Sequence, residues 1–219
     1  MLVSTVMRFV PPSREVLAEV LLAAGPDETT LCGGWRTRHL AAHLYLREHS
    51  PLAAGIVVKA LSGRLDRAID SLAREASTAS GYAALVGRFA RGPARLSPLA
   101  LTAVEHAANL VEFFVHTEDV RRAGDRWAPR ILDEEYSDEL WRALVRGSAL
   151  LYRGVDVGII LCRPDGQRHV ARRATTSVAI TGEPAELLMH AHGRRGQALV
   201  TFEGAPDAVA LLRSADLES

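Results

Sequence analysis

The chain has 219 residues, enough for one large domain or two small ones, and can bury an ordinary core without disulfide staples. Lysine plus arginine and aspartate plus glutamate both number 26, so the net charge is zero and no bulk field draws the chain to nucleic acid or to an anionic membrane. Cys32 and Cys162 stand in no zinc-finger or redox spacing, no run approaches the ~20 apolar residues of a membrane span, and residues 1–12 lack the charged and apolar regions of a secretory leader, so a soluble, cytoplasmic protein is expected.

In chain order, Ser13 reads as the N-cap of a first helix carrying Val16, Leu17, Val20 and Leu21, which Gly25 and Pro26 end. Between Thr30 and Thr37 paired glycines break the chain, Trp35 offers an apolar anchor, and Thr37 is placed to cap a second helix from about Arg38 to His49. On that helix Leu40, His43, Leu44 and Arg47 recur at three- and four-residue intervals, so His43 shares the leucine side, with His39 one turn earlier. Leu52 to Leu61, apolar with Gly55 inside it, is expected to be helical, Gly63 to Glu75 alternates charges at a helical period and is expected to be a partly exposed connector, and Tyr82, Leu85, Val86 and Phe89 form a stripe that stops at Gly92.

Thr102 is expected to cap a long helix, Ala103 to Ala123, with Val104, Ala107, Ala108, Val111, Phe114 and Val115 on its apolar side. Asp133, Glu134 and Glu135 suit the start of a further helix through Leu140, Trp141, Leu144, Leu150 and Leu151, which is expected to close a first domain, residues 1–153. After Gly154 the period changes to alternation: strands are expected over 155–161, 169–173, 177–181 and 198–202, with helices over 183–193 and 206–213. The fold class is thus mainly α with a small α+β C-terminal unit, residues 154–219.

The chemistry concentrates in Val111 to Val120. On a helix Glu112 and His116, four apart, are neighbours and can grip one metal ion from successive turns, with His43 as the candidate third ligand. A carboxylate beside Phe113 and Phe114 costs several kcal/mol to bury uncompensated, so something positive must face Glu112. Spacing alone leaves two readings open, a metal ion or an arginine partner. Asp119, seven residues past Glu112, is placed to orient His116 or to meet Arg122, whereas Glu118 should point elsewhere. His106 is a further rival on the same helix, while His190 and His192 diverge and read as surface or interdomain residues. Arg121 and Arg122 read as a solvated face, and neither cysteine stands out as a nucleophile. No G-x-S-x-G, GxGxxG, Walker A or H-E-x-x-H motif occurs, which removes the commonest hydrolase, nucleotide and zincin classes.

Cys32-Gly33-Gly34-Trp35 through His43, with Glu112 to His116 and Glu118 to Arg122, resembles the metal-binding proteins related to mycothiol-dependent maleylpyruvate isomerase. The resemblance implies a DinB-like antiparallel four-helix bundle with a divalent metal, usually zinc, on His43, Glu112 and His116. The C-terminal segment, with Arg163-Pro164-Asp165-Gly166 and Thr181 to Leu188, is similar to the small α+β domain of a subgroup and implies a sterol-carrier-like fold. Three ligands leave an open position, the catalytic arrangement, where a low-molecular-weight thiol such as mycothiol binds as thiolate. The expected activity is therefore a metal- and thiol-dependent transferase or isomerase acting on a small molecule, with no catalytic residue assigned. The alternative is a non-catalytic metal or small-ligand binding module; a homodimer is compatible with either.

Overall fold

Apolar residues at helical spacing generate five helices among the described residues of the first of two units, Met1–Pro129. The computed structural model describes residues 2–50, 59–93, 103–215 and 217, with side chains over 8–50, 62–93, 107–215 and 217. The helices are α1 (Leu2–Ala24), α2 (Thr37–His49), α3 (Lys59–Glu75), α4 (Ala79–Ala90) and α5 (Ala103–Arg121). α1 lies along α5 and also meets α4, while α2 packs on α3 and α4. Leu17, Leu21, Leu40, Leu44, Leu85, Phe89 and Phe113 are all fully buried between them.

One buried cation ties four of these helices. The Arg14 guanidinium donates to both Glu48 carboxylate oxygens at 2.5 Å and to the Phe89 carbonyl at 3.1 Å, and it lies over the Phe89 and Phe113 rings. Hydrogen bonds and ring faces together replace the water it has lost.

Two helix starts differ from expectation. α1 begins at residue 2 rather than at Ser13 and runs through Pro11 and Pro12. Each proline removes one backbone donor, but Val10, Ser13, Arg14 and Leu17 are already buried there, and tertiary packing carries the helix across the gap. Thr37 is not the cap of α2 but its first helical residue, with Arg36 as N-cap. The fully buried Thr37 hydroxyl donates instead to the Gly25 carbonyl. Gly25, at φ +79°, closes α1 by donating to Leu21 at 3.1 Å, so the Thr37 bond pins the start of α2 to the end of α1. Residues 52–58 of the helix expected over 52–61 and the expected cap Thr102 lie outside the described residues, while the stretch 63–75, expected as a connector, is helical within α3.

The second unit, Arg130–Ser219, begins with α6 (Glu134–Leu151). α6 thus groups with the strands that follow it. The reason is packing: α6, with Leu140, Trp141 and Leu144 buried, lies on β2 (Arg168–Arg172) and α7 (Pro184–Ala191). β1 (Gly158–Cys162) pairs antiparallel with β2, parallel with β3 (Ser177–Thr181), and β3 pairs antiparallel with β4 (Thr201–Glu203), giving the order β2-β1-β3-β4. α8 (Pro206–Ser214) follows. The molecule is therefore mainly helical with a small α+β unit, and no helix among the described residues is long and apolar enough to cross a membrane.

His190 is core rather than surface. Its side chain is buried, Nδ1 lies 3.0 Å from the Tyr152 hydroxyl, and the ring stands 5.5 Å from that of Phe202. Burial first, then the Arg195 charge, push its pKa from 6.5 down to about 4. As pH falls, the unfolded chain therefore takes this proton before the folded one does. The stability from a neutral His190 is complete above 6.5 and is lost as pH falls toward about 4, by up to about 3 kcal/mol. Denaturant titrations between pH 7 and 4 should show that loss in the native sequence and a flatter profile in His190→Gln, which keeps an acceptor for Tyr152.

Candidate metal centre

The site is built on α5 by helical geometry. Residues three and four apart stack on one face, so Glu112, His116 and Asp119 line up along the helix. From α2, His43 points its Nε2 at Glu112 Oε1 at 2.9 Å, and His116 Nε2 lies 3.2 Å from the same oxygen. The donor atoms of His43, Glu112 and His116 all fall within 4.8 Å of one another, a set able to hold one metal ion. The side chains of His43 and His116 are mostly covered, while that of Glu112 keeps 23% exposure, so the cluster is a recess rather than a sealed core.

The other ring nitrogen of His116, Nδ1, lies 2.8 Å from Asp119 Oδ2, and the Asp119 side chain is fully buried. A carboxylate on Nδ1 keeps a proton there and leaves Nε2 facing His43 and Glu112. Glu118, one position earlier, does point away from the recess, but it is buried rather than wet. Its oxygens accept from Arg121 at 2.7 Å and Arg122 at 2.5 Å. Arg122 is likewise not part of a solvated face; it is 1% exposed and lies over the Trp127 ring.

Two neighbours of the site, Cys32 and Trp35, were not legible as such in the sequence. The turn from Cys32 to Trp35 closes by a Trp35 N–H to Cys32 carbonyl bond of 2.9 Å, with Gly34 at φ +77° where a side chain would be strained. Leu31 N–H donates to the Asp119 carbonyl at 3.0 Å, which lays this turn on α5. It brings the Cys32 thiol 3.1 Å from Asp119 Oδ2 and sets the Trp35 ring 5.3 Å from that of His43. No sequence spacing joins Cys32 to a residue 87 positions away. Arg47, in contrast, sits four residues past His43 and was readable as its neighbour. Its Nε is 3.5 Å from Glu112 Oε1, and its Nη1 donates to Asn109 at 2.5 Å.

His39 does not join the cluster. Its Nδ1 accepts the Arg36 N–H at 3.2 Å at the start of α2. Burial, with the Arg38 charge, lowers its pKa, which suits a ring used as an acceptor. His192 caps the end of α7 in the second unit, and the side chain of His106 lies outside the described residues.

Electrostatics within the cluster are strongly coupled. Burial alone would raise the Glu112 carboxyl, but the His116 charge, hydrogen bonds from His116 and His43, and the Arg47 charge outweigh it and hold the group well below the usual carboxylate range. Burial alone would likewise lower His116; the Glu112 charge, Asp119, Cys32 and the Glu112 hydrogen bond reverse that and hold its pKa well above 6.5. Without a bound ion, the Glu112 charge and the Asp119 hydrogen bond favour the protonated form of His116.

No family model matches the sequence, and no curated protein matches it. The fold, however, is similar to that of solved structures. Among solved structures it is similar to the mycothiol-dependent maleylpyruvate isomerase, at 16% identity and a TM-score of 0.57, and to a histidine-to-alanine mutant of that isomerase, at 17% and 0.56. Each alignment covers 93% of this chain and 93% of the other. At such identity the likeness is one of fold.

Replacing Glu112 by Gln removes the largest influence that raises His116. In the metal-free protein the His116 titration, followed by nuclear magnetic resonance of its ring, should move to lower pH. An unchanged midpoint would mean that Asp119 alone sustains the imidazolium.

Proposed function

We propose that the chain is a divalent-metal protein in which His43, Glu112 and His116 are the ligands and Asp119 is the outer partner that orients His116. On this reading it catalyses a thiol-dependent transfer or isomerisation of a small molecule. The observation that carries it is the convergence of two imidazole Nε2 atoms on one Glu112 oxygen, with the far nitrogen of His116 held by a buried carboxylate. Borderline nitrogen and oxygen donors in this number suit zinc, and the three-ligand set leaves a further position open. A bound divalent ion of this type supplies Lewis acidity and lowers the pKa of a coordinated thiol.

The protein's own groups do the rest. One carboxylate among the three ligands leaves a divalent ion with net positive charge, suited to an anionic thiolate. Asp119 fixes the tautomer of His116, Trp35 covers one side of His43, and Arg47 places a second positive charge beside Glu112. The thiol itself comes from a small cofactor, and the fold shared with a mycothiol-dependent enzyme supports mycothiol for that part. The first unit is proposed to be a DinB-like four-helix bundle and the second a sterol-carrier-like domain. Cytoplasmic location, where such a thiol is kept reduced, belongs to the same reading.

A second reading rests on Arg47. With both histidines and an arginine on Glu112, the carboxylate is compensated without any ion. Elemental analysis of protein purified without a His-tag separates the two, since the first predicts one stoichiometric ion and the second none. With the ion present, calorimetry should show mycothiol binding, and His43→Ala should abolish both. Metal retention without thiol affinity would instead indicate a non-catalytic binding module.

A further inference from the structure

His116 belongs to two donor clusters, one through each ring nitrogen. Beyond the Nε2 side, its Nδ1, the Cys32 Sγ and Asp119 Oδ2 form a second triangle with edges of 2.8, 3.1 and 3.7 Å. Bonds of about 2.0–2.3 Å around a tetrahedral ion separate its donors by roughly 3.3–3.6 Å, so this triangle needs only small movements to close on a cation. It is also built rather than incidental. Asp119 is fully buried, α5 fixes His116 and Asp119 one turn apart, and the Leu31–Asp119 backbone bond and the Cys32–Trp35 turn hold the thiol in place.

We propose that Cys32, His116 and Asp119 form a second cation site, selective for thiophilic divalent ions, that shares one imidazole with the first. A sulfur ligand shifts preference toward softer ions than the all-nitrogen-and-oxygen set on the other side of the ring. Thiolate and carboxylate together neutralise a divalent charge. Entry of the ion releases the Cys32 thiol proton and the Nδ1 proton to solvent, with no change of oxidation state. The remaining proton stays on Nε2, from which it donates to Glu112 Oε1 across 3.2 Å. A neutral imidazole has one free lone pair, so an ion on Nδ1 and an ion on Nε2 exclude each other. The thiophilic site is then an off-state for the first site. The Cys32 cluster stands without the proposed function; only the exclusion rests on it.

Cadmium titration of metal-free, untagged protein tests this. The expected result is thiolate-to-cadmium charge-transfer absorption that is lost in Cys32→Ser and kept in both Cys162→Ser and Glu112→Gln. In the native sequence, alkylation of Cys32 followed by mass spectrometry should slow roughly tenfold when free cadmium is about ten times its dissociation constant. This second measurement decides the matter if Cys32→Ser does not fold. Absorption that survives in Cys32→Ser, or vanishes in Cys162→Ser or Glu112→Gln, overturns the proposal, as does unprotected Cys32. Zinc absent from the native protein together with cadmium bound through Cys32 would sink the proposed function and leave this site intact.

Discussion

The ring of His116, held between Glu112 on one nitrogen and Asp119 on the other, is the constraint on which the rest of the first unit turns. Both carboxylates come from the same helix at offsets of four and three, so their placement costs no loop ordering. What must be brought from elsewhere is brought to this ring. α2 delivers His43 to Glu112, and the turn at residues 32–35 delivers a thiol to Asp119 and an indole to His43.

Such a concentration of charge among apolar helices is stable only because each charge is matched. Glu112 meets two imidazoles and Arg47, Glu118 meets Arg121 and Arg122, and Glu48 meets Arg14. Removing one member of a buried pair typically costs about 3–5 kcal/mol, because the other is left without water or partner. The adjacent residues Glu118 and Asp119 show how finely this is divided. About 100° apart around the helix, one is spent on holding two arginines and the other on aiming a histidine.

The fold and the site carry different kinds of information. An alignment over 93% of both chains at 16–17% identity means that a similar arrangement of helices and strands is built from mostly different side chains. A fold by itself does not specify chemistry, which resides in particular groups. Here those groups are the nitrogen and oxygen donors of α2 and α5, and the functional reading stands on their convergence.

Much of this protein was legible in its residues. Helical period marks the face of α4 and the positions of His43 and Glu112, alternation marks β3, and the four-residue offset alone makes Glu112 and His116 neighbours. Local pattern could not show what depends on distant partners. It missed the extension of α1 through two prolines, the use of Thr37 as a tie to Gly25 instead of a cap, and the burial of Arg122 and His190, because each is decided by packing from another element. For the same reason the apolar stripe of α6 does not say which unit will cover it. The sequence by itself determined which side chains could share a helix face; only tertiary structure decided that Cys32 would reach Asp119, because a loop's contacts are set by long-range backbone bonds that leave no periodic trace.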